Sequence, residues 1–143
     1  MKLYFIVTVI ALLGTSNGKI FTKCELARLL AQNGIPGVVL PDWMCLVQHE
    51  SGFNTAALNT KNSNGSRDYG IFQINNRFWC AEGRAGANEC KLQCSSLRDD
   101  NILDDINCAK LIYSRHGFNA WAAWRDKCRM KPKPSVKECF KKR

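Results

Sequence analysis

A chain of 143 residues is enough for one domain. Its formal net charge of +9 favours anionic partners, such as bacterial surfaces, acidic polymers or nucleic acid, although such a charge can also serve solubility alone. No basic run with interleaved aromatic residues occurs, so the sequence predicts no specific nucleic-acid partner.

The first 18 residues predict a secretory signal peptide. A positive start is followed by an almost unbroken apolar run, Leu3–Leu13, and by small residues up to Gly18, which favours cleavage between Gly18 and Lys19. A membrane anchor is the weaker alternative, because this run is too short to cross the hydrocarbon core and no later stretch is long enough. We therefore expect a secreted, extracellular domain of residues 19–143. Losing Lys2 leaves 20 basic against 12 acidic residues, a net charge of +8.

Eight cysteines lie in the expected mature chain, which predicts four disulfides formed in an oxidising compartment. Spacing alone does not give their connectivity. A zinc site is the weaker alternative, because there is no CxxC pair and neither His49 nor His116 has zinc-like spacing from a cysteine pair.

Helical patterns open the mature chain. Thr22 and Glu25 form a capping box that predicts the start of a first helix, and Gly34 can stop it. Pro41 can open a second helix with an apolar face. The pattern predicts that Glu50 lies near the carboxyl-terminal end of this second helix.

A polar middle segment separates these helices from two later ones. Asn64-Gly65 predicts a hairpin turn, and the apolar and aromatic run Asp68–Ile74 predicts a strand. Residues 83–88 predict a loop, Ile102–Tyr113 a third helix and Trp121–Trp124 a short fourth one. The order predicts an α+β fold with two lobes, a helical one and a small β-sheet, and a cleft between them that could hold a polymer.

Glu50 and Asp68 are the candidate catalytic pair. Glycoside cleavage commonly uses one carboxyl group as a proton donor and a second, ionised one to stabilise or trap the cationic sugar. Glu50 ends a predicted helix with an apolar face, where desolvation favours its protonated form, whereas Asp68 lies near asparagine and serine residues that can hydrogen-bond a carboxylate. In most chains two such distant carboxyls are unrelated surface groups, so this pattern alone is weak.

Three separated motifs strengthen the assignment. His49–Thr55, Asn64–Asn75 and Ala120–Arg125 resemble c-type (chicken-type) lysozymes of the lysozyme/α-lactalbumin family, and the insect branch most closely. The resemblance covers essentially all of residues 19–143 and the order of all eight cysteines. It implies a two-lobed lysozyme-like domain.

The resemblance also implies an activity. Glu50 would be the general acid and Asp68 the nucleophile or ion stabiliser of a retaining muramidase, which cuts the β-1,4 bond between N-acetylmuramic acid and N-acetylglucosamine in bacterial peptidoglycan. We expect a monomer that needs no cofactor for catalysis and acts in antibacterial defence, with digestion as the alternative. The implied substrate-binding residues are Asn62, Gln73, Asn75, Phe78, Trp79, Ala120 and Trp121. The implied disulfides are Cys24–Cys139, Cys45–Cys128, Cys80–Cys94 and Cys90–Cys108.

Two departures from vertebrate members border the cleft. The Glu50–Asp68 interval is one residue longer and the loop 114–118 is one shorter, which leaves the pair intact but affects outer sugar contacts. Two alternative functions are weaker, because this chain keeps both Glu50 and Asp68 and shows no isolated basic amphipathic helix. A non-catalytic relative of the α-lactalbumin type would lack one or both carboxylates, and a purely membrane-disrupting cationic protein would need a basic amphipathic helix that is not evident.

An acidic segment predicts a structural calcium ion. Residues 96–105 hold four of the twelve acidic residues of a basic protein, and a hard cation would relieve their repulsion. The alternative is that these acids favour the helix dipole or cap the third helix. The spacing resembles the calcium loop of α-lactalbumins and of calcium-binding lysozymes. That resemblance implies carboxylate ligands from Asp99, Asp104 and Asp105 and carbonyl ligands from Ser96 and Asn101.

Overall fold

The computed structural model describes residues 18–142, so the expected signal peptide lies outside it except for Gly18. The expected helices are present. The capping box of Thr22 and Glu25 is formed, because each side chain satisfies the other's backbone amide, and it opens α1 (Lys23–Gln32). Helix α2 (Leu40–Ser51) carries a proline in its first turn and ends at Gly52, whose φ is +59°. This places Glu50 in the last turn of α2.

Helix α3 (Leu103–His116) and the short α4 (Ala122–Lys127) follow the β region. Four 3₁₀ turns, not expected from the sequence, occur at Gly37–Val39, Cys94–Arg98, Gly117–Ala120 and Lys137–Phe140. Trp43 of α2 is almost fully buried, and its ring lies 5.1–5.6 Å from those of Phe72, Phe118 and Trp121. These aromatic contacts join α2 to the β lobe and to the chain before α4.

The sheet differs from the expected single strand over residues 68–74. It has three two-residue antiparallel strands, β1 (Leu58–Asn59), β2 (Asp68–Tyr69) and β3 (Ile74–Asn75), in that order. The chain reverses between β2 and β3, where Gly70 has φ +75° and Gln73 has φ +50°. A side chain on Gly70 would meet the Leu97 carbonyl oxygen at 1.9 Å. The turn residues Ile71 and Phe72 are buried in the core, which explains their strand-like apolar pattern.

All four disulfides pair as the resemblance implied: Cys24–Cys139, Cys45–Cys128, Cys80–Cys94 and Cys90–Cys108. Cys24–Cys139 joins α1 to the 3₁₀ turn near the end of the chain. Cys90–Cys108 ties the loop after the sheet to α3. Among residues 18–142 there is no helix long and apolar enough to span a membrane.

Candidate active site

A cleft of about 680 Å³ lies between the helical and β lobes. Glu50 of α2 and Asp68 of β2 both line it. The structure also brings all seven expected substrate-binding residues to this cleft: Asn62, Gln73, Asn75, Phe78, Trp79, Ala120 and Trp121. Segments far apart in sequence therefore form one concave surface, with two carboxyl groups inside it and space for a polymer.

Glu50 lies in the last turn of α2, the helix that carries the buried Trp43. The pKa of Glu50 is raised to about 7, mainly by burial and in smaller part by the negative charge of Asp68, while a hydrogen bond from the Ala123 amide and the charge of Arg125 oppose the rise. A carboxyl group with this pKa keeps a large protonated fraction near neutral pH. It can therefore act as a proton donor.

Asp68 has polar surroundings that follow from strand pairing. Its cross-strand neighbours are Asn59 on β1 and Asn75 on β3, and both side-chain amides donate to its carboxylate, at 3.1 and 2.8 Å. Asn62 donates to the same carboxylate at 2.9 Å from the loop after β1. Three N–H donors stabilise the ionised form of a carboxyl group. The two carboxyl groups of the cleft thus have contrasting environments, as a proton donor and an ionised partner require.

Aromatic side chains border the cleft on both lobes. Trp121 is buried, and its indole N–H donates to the Phe72 carbonyl at 2.9 Å, which joins the chain before α4 to the β2–β3 turn. On the β side, Phe78 is half exposed and Trp79 packs edge-on against His116 at 5.9 Å. Exposed aromatic faces beside a polar cleft are suited to stacking on sugar rings.

Sequence reasoning missed seven further residues that line the cleft: Ser63, Asn64, Ser66, Ile74, Ile112, Ala122 and Arg125. Asn64 and Ser66 had a signal, because they belong to the polar run before Asp68. The pattern of charges in the sequence gave no sign that Arg125 would line the cleft, because Arg125 reaches it only through the packing of α4 beside α2. Its positive charge acts on Glu50.

The acidic segment contains one unusual group. Asp105, in the first turn of α3, is fully buried, and neither of its carboxylate oxygens has a hydrogen-bond partner among the described residues. The pKa of Asp105 is raised to about 9, mainly by burial and in smaller part by the neighbouring acidic groups of Asp104 and Asp99. Asp105 is a buried carboxylate beside two other acids and has no other hydrogen-bond partner among the described residues. This environment fits the binding of a cation better than a favourable interaction with the dipole of α3 alone.

The capping alternative for this segment does not hold. Ile102 is the N-cap residue of α3 and makes no capping hydrogen bond, and the first helical amide, that of Leu103, donates to Asn101 Oδ1 at 3.3 Å rather than to Asp99 or Asp100. Asp100 instead accepts from the Lys19 backbone amide at 2.9 Å and from Thr55 at 2.8 Å. Asp99 accepts from the Asn101 amide at 3.0 Å and shapes the loop that precedes the helix.

No zinc-like cluster of free side chains occurs within residues 18–142. The two tight groups of potential ligands are Cys45, His49 and Cys128, and Cys24, Glu138 and Cys139. Both cysteines of each group are joined in a disulfide, so their sulfurs are not thiolate ligands. The three expected calcium ligands, Asp99, Asp104 and Asp105, do not form such a tight group, although they belong to one loop and helix start.

Comparisons with known proteins agree with this geometry. A family model described as C-type lysozyme/alpha-lactalbumin matches residues 19–139. Lysozyme c-1 of Anopheles gambiae is 55% identical over 135 residues, which cover 94% of this chain and 95% of that protein. Lysozyme 1 of Musca domestica is 44% identical over 143 residues, which cover 98% and 100%. The crystal structure of a calcium-binding lysozyme from equine milk has a TM-score of 0.74 and 46% identity, covering 80% of this chain and 92% of that one.

Proposed function

Since the chain belongs to the C-type lysozyme/alpha-lactalbumin family, we propose that its cleft hydrolyses bacterial peptidoglycan with Glu50 and Asp68 as the reacting groups. The observation that carries the assignment is the contrast between two carboxyl groups in one cleft. One is partly buried and has its pKa raised to about 7, and the other accepts three amide hydrogen bonds. The protein is a lysozyme-type glycoside hydrolase that needs no catalytic cofactor.

The mechanism assigns one task to each carboxyl group. Lysozyme is the type case of this pair, so the stereochemistry is taken from the family. Glu50 donates its proton to the glycosidic oxygen as the bond between N-acetylmuramic acid and N-acetylglucosamine breaks. Asp68 attacks or stabilises the cationic sugar carbon on the opposite face. Glu50, now ionised, takes a proton from water, which attacks the same carbon and releases the product with retained configuration.

The remaining residues of the cleft hold the glycan. Asn62, Gln73 and Asn75 offer amide groups for sugar hydroxyls and acetamido groups, and the Ala120 backbone supports them. Phe78, Trp79 and Trp121 offer apolar faces. The two length departures beside the cleft, before Asp68 and in residues 114–118, act on the outer sugar positions. We expect differences from vertebrate relatives in the binding of long oligomers rather than in bond cleavage.

A structural calcium ion is part of this proposal. Asp99, Asp104 and Asp105 would supply carboxylates and Ser96 and Asn101 carbonyls, in a site separate from the carboxyl pair. The orphaned, buried Asp105 supports it. The positive charge of the ion would compensate the negative charges of these three neighbouring carboxylates.

We also propose that the protein is secreted, acts as a monomer and meets anionic bacterial surfaces. Its net positive charge favours approach to such surfaces. The disulfides suit an extracellular setting. An antibacterial role follows from the substrate.

A lysis assay with matched variants tests the proposal. Glu50→Gln keeps the shape of the side chain but has no proton to donate, and general-acid help is worth about 10²–10⁴-fold. We expect that clearing of a bacterial-wall suspension falls by at least about 100-fold for Glu50→Gln and also falls strongly for Asp68→Asn. Glu138→Gln, an exposed glutamate paired with Lys23 outside the cleft, is the control. Wild-type rates for Glu50→Gln would refute the assignment.

A further inference from the structure

A second cavity lies on the β lobe, beside the cleft. Its volume is about 420 Å³, and its lining includes Asn64, Ser66, Asn76, Arg77 and Glu82. Asn64 and Ser66 also line the cleft, so the two cavities share one wall. The chain at the end of β3 forms a second boundary, because it supplies Asn75 to the cleft and Asn76 to the second cavity. The cavities are therefore neighbours, and a branched ligand can occupy both.

Two asparagine side chains that line this second cavity have free N–H groups. The backbone amide of Ser66 donates to Asn64 Oδ1 at 3.0 Å, and the backbone amide of Arg67 donates to Asn76 Oδ1 at 2.9 Å. A backbone amide can only donate, so these hydrogen bonds fix both side-chain oxygens and leave both Nδ2 groups for other partners. Neither Nδ2 donates to any acceptor among the described residues.

Arg77 adds a positive charge that has no acidic partner. Its side chain is exposed, its guanidinium carbon lies 5.5 Å from the ring centre of Phe78, and no carboxylate within residues 18–142 forms an ion pair with it. The acid that lines the cavity, Glu82, accepts from the hydroxyl of the buried Tyr69 and lies 4.0 Å from the guanidinium of Arg67. Glu82 is thus compensated by other groups, and the groups left free are a guanidinium and two amide N–H groups, all of them donors.

A set of donors with one positive charge is suited to a carboxylate. A planar guanidinium can bind a carboxylate through two parallel hydrogen bonds, and neutral amides can donate to the remaining lone pairs. Peptidoglycan supplies such a group beside its glycan chain, because short peptides with free carboxylates are attached to the lactyl group of N-acetylmuramic acid. Three residues of such a peptide reach about 10 Å from that attachment. A glycan strand in the cleft therefore carries a group that fits the neighbouring cavity.

We propose that this cavity, the donor pocket of Asn64, Asn76 and Arg77, binds a carboxylate of the peptide stem while the glycan of the same strand lies in the cleft. The inference rests on the proposed function and adds to it a part of the substrate that bond cleavage does not involve. Such a remote contact stabilises the bound substrate and the transition state equally, so it lowers KM and leaves kcat nearly unchanged.

The test compares three soluble, uncross-linked glycan substrates of the same chain length. The first carries its peptides with free carboxylates, the second carries the same peptides with their carboxylates amidated, and the third has had its peptides removed. We expect the kcat/KM of the wild type to be on the order of tenfold higher for the first substrate than for the other two, because hydrogen bonds to a charged group are among the stronger ones. The difference should lie in KM.

Two variants change the donor pocket and leave the lining of the cleft intact. Arg77→Gln removes the guanidinium, and Asn76→Asp keeps the oxygen that accepts from the Arg67 amide but replaces the donor with an acidic oxygen. Both should lose the preference for free carboxylates and keep the wild-type rate on peptide-free strands, with melting curves to confirm that each is folded. Arg129→Gln, at an exposed arginine after α4, lowers the net charge by the same one unit and should keep the preference.

The outcomes also separate this inference from the proposed function. Equal wild-type cleavage of all three substrates would overturn the donor pocket alone, since glycan cleavage would be intact. A preference that persists on amidated peptides, or in folded Arg77→Gln and Asn76→Asp, would overturn it too. So would a loss of the preference in Arg129→Gln, because overall charge would then explain it. No cleavage of any of the three substrates by the wild type would instead refute the proposed function.

Discussion

Asp105→Asn should stabilise the calcium-free protein, although it removes an acidic group from a basic chain. At pH 7 the wild-type carboxyl group is buried without a hydrogen-bond partner, and its pKa lies near 9. The folded state must therefore take up a proton or hold an unpaired charge. An Asn at this position is uncharged and has about the shape of a protonated Asp, and it too would have no hydrogen-bond partner. The variant therefore removes only the free energy that folding spends on protonating the Asp105 carboxyl group.

The size of this effect follows from the pKa of Asp105. Between its ordinary value near 4 and pH 7, each pH unit corresponds to about 1.4 kcal/mol, so the cost is at most about 4 kcal/mol. The raised pKa means that stability is fully present below about pH 4 and is lost as pH rises toward about 9. The wild type and Asp105→Asn should therefore have similar stability at pH 4 and diverge at higher pH in the presence of a chelator.

In the presence of calcium, the wild type should be more stable than Asp105→Asn. A ligand that binds only the folded state at a hundredfold excess over Kd stabilises it by about 2.7 kcal/mol, and Asp105→Asn should gain little of this. The assay is thermal unfolding from pH 4 to 8, with chelator and with millimolar calcium. Asp126→Asn, at an exposed acid, is the charge-matched control. A destabilised Asp105→Asn in chelator, or an equal calcium response in both proteins, would refute the reasoning.

Three further outcomes are expected. The kcat/KM for wall lysis should fall about tenfold per pH unit above about pH 7, because Glu50 must be protonated and its pKa lies near 7, and a flat profile up to pH 9 would contradict this. Asp104→Ala should abolish any rise in melting temperature caused by calcium. Identical wild-type melting curves with calcium and with chelator would refute the proposed calcium site. Mass spectrometry of the secreted protein should find Lys19 as the first residue and no alkylatable thiol, and eight free cysteines in active protein would contradict the disulfide assignment.

Local signals in the sequence predicted the helices well. The capping box at Thr22 and the proline in the first turn of α2 act within a few residues of themselves, so their effect is visible without the fold. The same holds for the Asn64-Gly65 turn, in which the Gly65 amide donates to Asn62 and Gly65 has φ +77°. Such features depend on neighbouring residues only.

The features that the sequence did not reveal depend on long-range contacts. The Leu97 carbonyl, 27 residues later in the chain, leaves no room for a side chain at Gly70, where the chain reverses. This contact is not visible in the sequence, in which the apolar residues that follow Gly70 resemble a continuous strand. The partners of Asp100, the Lys19 amide and Thr55, are likewise distant in sequence. The candidate pair was visible as two carboxyl groups in different settings. The amide groups that donate to Asp68 became assignable only once strand pairing brought Asn59 and Asn75 beside it.

The most direct measurement is mass spectrometry of the fragments released from purified, membrane-free peptidoglycan. The wild type and Glu138→Gln should release glycan fragments with N-acetylmuramic acid at the reducing end, and proton NMR of the initial product should show the β configuration. Glu50→Gln should release fewer than about one hundredth as many in the same time. Fragments at the wild-type rate from Glu50→Gln, or no fragments from the wild type, would contradict the account.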